Sequence, residues 1–157
     1  MRSTTLYRIA AVVFLLFAAG HTYGFLSLVP PTPESRAVQA AMNNVSFVVG
    51  SSAYTFGGFY TGFGLYVTAY MLFSAVLAWQ LGSIAASHGR EIRGAGWAFF
   101  ALQLASAGLS WKYFGAAPFV FSAIGAVCLG WAAAGLMRQG QELPKTAPAR
   151  ALKTEPV

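Results

Sequence analysis

The sequence predicts an all-α membrane protein, a bundle of four transmembrane helices with a short interfacial helix between the first and the second. Of its 157 residues, 57% are hydrophobic and only 9% are charged, whereas about 25% are charged in a soluble domain. The 15% of aromatic residues excludes a disordered chain, because such side chains must be buried. Long runs without a formal charge alternate with polar segments. Most of the chain is therefore expected to face lipid.

The first predicted span covers residues 9–29. Its 21 residues without a formal charge can cross a hydrocarbon core of roughly 30 Å at about 1.5 Å per residue. Pro30 ends the run. A cleaved signal peptide is the alternative, with Arg2 and Arg8 as its basic region and cleavage before His21. The apolar residues that continue after His21 favour a retained helix.

A short interfacial helix is predicted at residues 34–49. Thr32 is a suitable N-cap, Pro33 fits the first turn, and Glu34 suits the positive end of the helix dipole. Apolar residues then recur at helical spacing, at Val38, Met42, Val45 and Val49. The segment is too short and too polar to span a membrane, so we expect it to lie over the mouth of the bundle.

Three further spans follow at residues 59–84, 94–111 and 117–137. The second span could begin as early as Phe56, and it ends in a polar turn. The third and fourth are joined by about five residues, including Pro118, and are expected to form a helical hairpin. Residues 1–138 thus form one transmembrane domain. Residues 139–157 are rich in Gln, Pro, Lys and Thr, which predicts a disordered cytoplasmic tail.

The basic residues indicate the orientation. Four spans place eight Lys and Arg residues on the side of the two termini and only two, Arg36 and Lys112, on the other. The positive-inside rule therefore predicts that both termini are cytoplasmic. Because these cations lie between apolar runs and form no patch interleaved with aromatic residues, we expect no nucleic-acid partner. The predicted partner is the lipid bilayer.

His21 is the candidate for chemistry within the membrane. As the thirteenth residue of the first span, it is predicted to lie about 3 Å from the midplane. It could handle a proton or a substrate, or hydrogen-bond between helices. No carboxylate falls within any span, so no catalytic triad is available. His21, His88 and Cys128 are too few and too scattered for zinc, so no metal site is predicted, and the sequence leaves the question of a cofactor open.

Other polar residues predict a ligand site around His21. Gln103, Ser106 and Ser110 lie on one stripe of the third span, and Tyr66 and Tyr70 lie on an aromatic stripe of the second. The predicted ligand-binding residues are His21, Tyr66, Tyr70, Gln103 and Ser106. Together they would line a mostly apolar pocket with a few polar groups, as ligand sites usually do.

Pairs of small residues predict close helix packing, either inside the bundle or between copies of the chain. The spacing small-xxx-small occurs three times, at Gly20 and Gly24, at Gly58 and Gly62, and at Ala126 and Gly130. A homo-oligomer that uses these faces is therefore a candidate assembly.

Three segments carry a resemblance to a family of uncharacterised small bacterial four-helix integral membrane proteins. They are residues 17–25 (FAAGHTYGF), Pro31 to Glu34 together with Met42, and residues 59–65 (FYTGFGL). The resemblance runs from about Arg8 to Met137 and implies a bacterial inner-membrane location, but no activity. Relatives often carry an acidic residue before the Phe-Tyr pair, where this chain has Gly57 and Gly58.

Three functions remain open from the sequence. The first is a non-catalytic bundle that holds a hydrophobic lipid-like or quinone-like molecule near His21. The second is a membrane enzyme of isomerase or cyclase type on an isoprenoid or lipid substrate, with His21 as acid or base. The third is an accessory subunit of a larger membrane complex, which outward-facing glycine pairs would favour.

Overall fold

The computed structural model describes residues 2–139, of which four fifths are helical. The elements in chain order are α1 (Ser3–Leu26), α2 (Pro33–Asn44), β1 (Ser46–Val49), β2 (Ser52–Thr55), α3 (Phe56–Ile84), α4 (Arg93–Tyr113) and α5 (Ala116–Gln139). Apart from Gln139 at the end of α5, the tail predicted at 139–157 lies outside the described residues.

Three helices, α1, α3 and α5, are long and apolar enough to cross a membrane. This confirms an all-helical fold with three helices that are able to span a membrane. The fourth long helix, α4, has 21 residues, about 32 Å at the usual helical rise. It is less apolar because it carries Arg93 and Lys112 near its ends and Gln103 at its centre.

The long helices pack around α1. Their backbones approach most closely between α1 and α3, between α4 and α5, and between α1 and α5. Contacts at both ends show that α1 and α3 run antiparallel, because Arg8 donates to Ser83 Oγ at 2.9 Å while His21 contacts the carbonyl of Gly64. Phe14 reaches α4, where its ring lies 5.7 Å from that of Phe99. The core is therefore centred on one face of α1.

Glycines allow bulky side chains of α1 to approach the neighbouring helices. A Cβ at Gly96 of α4 would collide with the hydroxyl of Tyr7, and one at Gly125 of α5 would collide with the ring of Phe14. Tyr7 and Phe14 are almost completely buried. These contacts fix how deep α1 sits between α4 and α5.

The segment between α1 and α3 differs from its prediction. Thr32 caps α2 as expected, and Ser35 N–H donates to its hydroxyl at 3.2 Å. The helix ends at Asn44 instead of Val49, and a β-hairpin follows in which Phe47 pairs with Tyr54. Gly50 is the first residue of the two-residue turn and has φ +61°. Among residues 2–139 only glycines have a positive φ, so the second turn residue, Ser51, has a negative one. This pattern fits a type II′ turn, which favours hairpins.

The outer surface of the long helices is apolar. In the most apolar stretches of α1, α3 and α5, only 28 to 44% of the residues are buried, so most of these side chains face outward. Soluble monomers rarely expose contiguous apolar patches of that extent. The surface is therefore the one expected for helices in contact with lipid tails.

Candidate functional site

A cavity of about 220 Å³ lies between the four long helices. Its apolar wall is formed mainly by Phe14, Phe17, Val67, Met71, Leu109 and Phe114. Its polar groups are His21, Tyr70, Ser74, Gln103, Ser106, Ser110 and Ser122. None of the lining residues in the described part of the chain carries a carboxylate, an ammonium or a guanidinium group.

Tyr70 and Gln103 connect α3 to α4 across this cavity. Gln103 Nε2 donates to the hydroxyl of Tyr70 at 2.9 Å, and that hydroxyl lies 3.2 Å from Ser106 Oγ. Tyr70 is the middle residue of α3 and Gln103 the middle residue of α4. The sequence prediction that Tyr70, Gln103 and Ser106 share one site agrees with this geometry.

The carbonyl of Leu102 determines which groups donate and which accept in this cluster. Ser106 Oγ donates to the carbonyl of Leu102 at 3.0 Å, and a carbonyl can only accept. Since the Ser106 hydroxyl has a single proton, Tyr70 must donate to Ser106. The protons of both hydroxyls are then used within the protein.

His21 lines the same cavity nearer the end of the bundle that carries α2. Its Nε2 lies 3.1 Å from the carbonyl of Gly64 on α3, so Nε2 carries the proton and donates. Its ring stacks on Phe25 with centroids 5.8 Å apart. In the neutral ring, Nδ1 is left as an acceptor. His21 is thus tied to α3 and also available at the cavity wall.

The position of His21 along its helix differs from the one assumed in the sequence prediction. Because α1 begins at Ser3 and ends at Leu26, His21 lies about 10 Å along the axis from the middle of that helix. The predicted span at 9–29 is centred on residue 19, whereas α1 is centred between residues 14 and 15. The distance of His21 from the membrane midplane stays a prediction.

Tyr66 does not belong to this site, and its inclusion was wrong. Its side chain is 76% exposed and lies on an outer groove with Tyr54, Phe59 and Phe63. The buried face of α3 passes instead through Met71, Ser74 and Ala78. Tyr66 is therefore rotated away from the cavity on the same helix that carries Tyr70.

Ser74 is a cavity residue that the sequence analysis missed. It is 1% exposed, and its hydroxyl finds no hydrogen-bond partner among residues 2–139. Its position four residues after Tyr70 places both on one face of α3, which is the signal that would have identified it. Buried hydroxyls are nearly always hydrogen-bonded, and those of Ser74 and Tyr7 are the two exceptions in the described part of the chain.

The fold and the cavity together define the class of this protein. It is a helical chain in which at least three helices are able to span a membrane, and its long helices surround an uncharged, partly polar cavity. No protein-family model, curated protein or solved structure matches the chain.

Proposed function

We propose that this chain is a bacterial inner-membrane protein whose helix bundle binds a small hydrophobic molecule, lipid-like or quinone-like, in the central cavity. The observation that carries the proposal is the cavity itself, with a mostly apolar wall, the Tyr70–Gln103–Ser106 cluster at mid-depth and the unpartnered hydroxyl of Ser74. Ligand sites typically combine such an apolar wall with a few polar groups.

The proposal includes four transmembrane helices, with α4 as the additional one. Gln103 is the main polar group of α4 between its charged ends, and its side chain is 2% exposed. It is therefore shielded from lipid by the other helices. Polar residues in spanning helices are tolerated when they face the interior of the bundle.

The proposed orientation places both termini in the cytoplasm. Arg2, Arg8, Arg90, Arg93 and Arg138 lie at one end of the bundle, and Arg36 and Lys112 at the other. This asymmetry follows the positive-inside rule. Trp79, Trp97 and Trp131 are exposed on the basic half, whereas Trp111 is exposed near the opposite end, as expected for an interfacial aromatic belt.

The test of ligand binding is native mass spectrometry of the protein purified in mild detergent, followed by solvent extraction. We expect a co-purifying molecule in a defined ratio to the protein. Ser122→Leu fills the cavity and should abolish it, whereas Val120→Leu, at an exposed position of the same helix, should retain it. The proposal would be contradicted if both variants retained the molecule, or if the wild-type protein carried none.

The same experiment tests whether His21 has an enzymatic role. If the bound molecule is a substrate, replacing His21 should change its chemical state as well as its amount. An isomerase or cyclase would leave unconverted substrate in His21→Gln, since Gln keeps a hydrogen-bond donor but cannot transfer the proton as imidazole does.

An accessory subunit is the second candidate, and the outward glycines favour it. A Cβ at Gly20, Gly24 or Gly62 would meet nothing within 4 Å, whereas Gly130 faces Phe100 inside the bundle. Small residues on an outer face let a second helix approach closely. The same mass spectra report assembly, and Gly24→Leu should dissociate any oligomer that uses this face of α1.

A further inference from the structure

The cavity can be characterised by the donors that its hydrogen bonds leave unused. The hydroxyl protons of Tyr70 and Ser106 are already donated within the protein, to Ser106 and to the carbonyl of Leu102. A carboxamide has two N–H donors, and the described residues accept only one of them from Gln103. Ser74 contributes a hydroxyl proton that no described residue accepts. Two donors, Ser74 on α3 and Gln103 on α4, thus have a proton that no described residue accepts.

Both donors are buried, which makes their pairing important. Gln103 is 2% exposed and Ser74 is 1% exposed. A buried donor left without a partner loses its hydration and gains no hydrogen bond in return, and orphaned donors are rarer in proteins than under-used carbonyl acceptors. An occupant of the cavity is therefore expected to bring acceptor oxygens.

The charge of the occupant follows from the lining. Because no formal charge lies on the cavity wall in the described part of the chain, a carboxylate, phosphate or ammonium group would be buried without a counter-ion. Burying an unpaired charge is far more costly than burying a neutral polar group. An uncharged occupant is favoured.

The size of the cavity limits what enters it. Its volume of about 220 Å³ is below the roughly 300–1,000 Å³ typical of sites for drug-sized ligands. The space suits one ring or one polar head, and not a whole lipid. Phe14 and Phe17 on α1 form part of its apolar wall.

We propose that the cavity recognises an uncharged ring that carries carbonyl oxygens, with Gln103 and Ser74 as the two hydrogen-bond donors. This inference rests on the proposed function, since it names the chemical class of the molecule that the cavity binds. A quinone head group has this chemistry. Ordered water would satisfy the same donors, and the experiment separates the two.

The experiment compares duroquinone with durene, the methylated ring that lacks the two carbonyls. Each is added to the purified protein in detergent, and the shift of the unfolding temperature is measured over a concentration series. We expect duroquinone to raise the unfolding temperature more than durene. Because the duroquinone ring is fully methylated, it offers no free ring position for addition of the thiol of Cys128.

Two variants connect this difference to the named donors. Ser74→Ala and Gln103→Met should each weaken the apparent affinity for duroquinone about 2- to 10-fold, the value of one neutral hydrogen bond, and leave durene unchanged. Ligand-free Ser74→Ala should be at least as stable as the wild type, because its hydroxyl has no partner in the protein. Tyr66→Phe, at an exposed position of the same helix, should behave as the wild type.

The outcomes separate this inference from the proposed function. Equal shifts with duroquinone and durene would overturn carbonyl recognition and leave a cavity that binds apolar rings. No shift with either probe, together with a co-purifying molecule of another class, would also overturn it. No shift and no co-purifying molecule would overturn the proposed function and this inference together, and would leave water as the partner of Ser74 and Gln103.

Discussion

At the scale of single residues, a hydrogen bond between Tyr70 and Gln103 connects the middle of α3 to the middle of α4. His21 and Thr22 make a second set of contacts, to Gly64 and Thr68 of α3. Hydrogen bonds between helices in a membrane are worth about 0.6–2 kcal/mol each. These contacts therefore contribute to stability, and His21, Tyr70 and Gln103 also make the cavity wall polar.

Tyr70→Phe removes a hydroxyl that accepts from Gln103 and donates to Ser106. We expect a loss of about 1–2 kcal/mol in the free energy of unfolding, measured by thermal or chemical unfolding in detergent. Tyr66→Phe is the matched control, since the same change one turn away affects an exposed hydroxyl and should stay within about 0.5 kcal/mol. Equal effects of both substitutions would contradict the assigned positions.

His21→Gln keeps an N–H that can reach the carbonyl of Gly64, whereas His21→Leu does not. We expect Gln to be tolerated and Leu to destabilise by about 0.6–2 kcal/mol in the same unfolding measurement. A His21→Leu protein as stable as the wild type, with its bound molecule retained, would show that neither the hydrogen bond nor the site depends on this residue.

At the scale of elements, α2 and the hairpin form a small unit over one end of α3. Thr32 and Ser35 cap α2 reciprocally, and the ring of Phe47 lies 5.5 Å from that of Phe59 on α3. No residue of α2 is buried. A two-stranded hairpin is marginally stable by itself, so this unit depends on its contacts with α3.

The contact between α2 and α3 is tested at Gly57. A Cβ at this buried glycine would collide with the side chain of Asn43, so Gly57→Ala should displace α2 at a cost of about 1–3 kcal/mol. Gly62→Ala is the matched control because its Cβ meets nothing within 4 Å. This control should stabilise by up to about 1 kcal/mol. Unfolding in detergent distinguishes the two, and a neutral Gly57→Ala would contradict the packing of α2.

The sequence predicts the elements of this protein better than the details of their faces. The stripe of Gln103, Ser106 and Ser110 was predicted because α-helical spacing alone places them together. The aromatic stripe of the second span predicts that Tyr66 lies on the inner face, whereas α3 buries small residues such as Ser74 and Ala78. Because the outer surface of these helices is also apolar, it lacks the polarity contrast that marks inner faces in soluble proteins.

Two local features were missed for different physical reasons. The hairpin was predicted as helix because Val45 and Val49 fit helical spacing, although Gly50 begins a turn between two strands. The start of α1 was placed after Arg8, yet Arg8 lies within the helix, where its guanidinium stacks 3.4 Å above the ring of Trp79. Long basic side chains reach polar surroundings from within apolar helices.

At the scale of the whole molecule, the four long helices have apolar outer faces and enclose one polar cluster at mid-depth. Within residues 2–139 their ends divide the basic residues unequally, with Arg36 and Lys112 at the end near α2 and the other five at the opposite end. The membrane is thus expected to surround the bundle along its full length. The polar cluster is then the part of the interior farthest from water.

Whether α4 crosses the membrane is tested by labelling the turns on either side of it. In a Cys128→Ala background, cysteines are introduced at Ser87 and at Ala117, both exposed. We expect a membrane-impermeant thiol reagent to label Ala117→Cys from the outer side and Ser87→Cys only after permeabilisation. Labelling of both from one side would contradict a fourth span.

The density within the cavity of the purified protein is the most direct test of the central claim. An experimental structure at a resolution that shows ordered water, from protein extracted in mild detergent, would reveal what contacts Ser74 and Gln103. We predict continuous density for a bound molecule, with polar atoms within about 3 Å of both donors. Separate water peaks, or an empty cavity, would contradict the account.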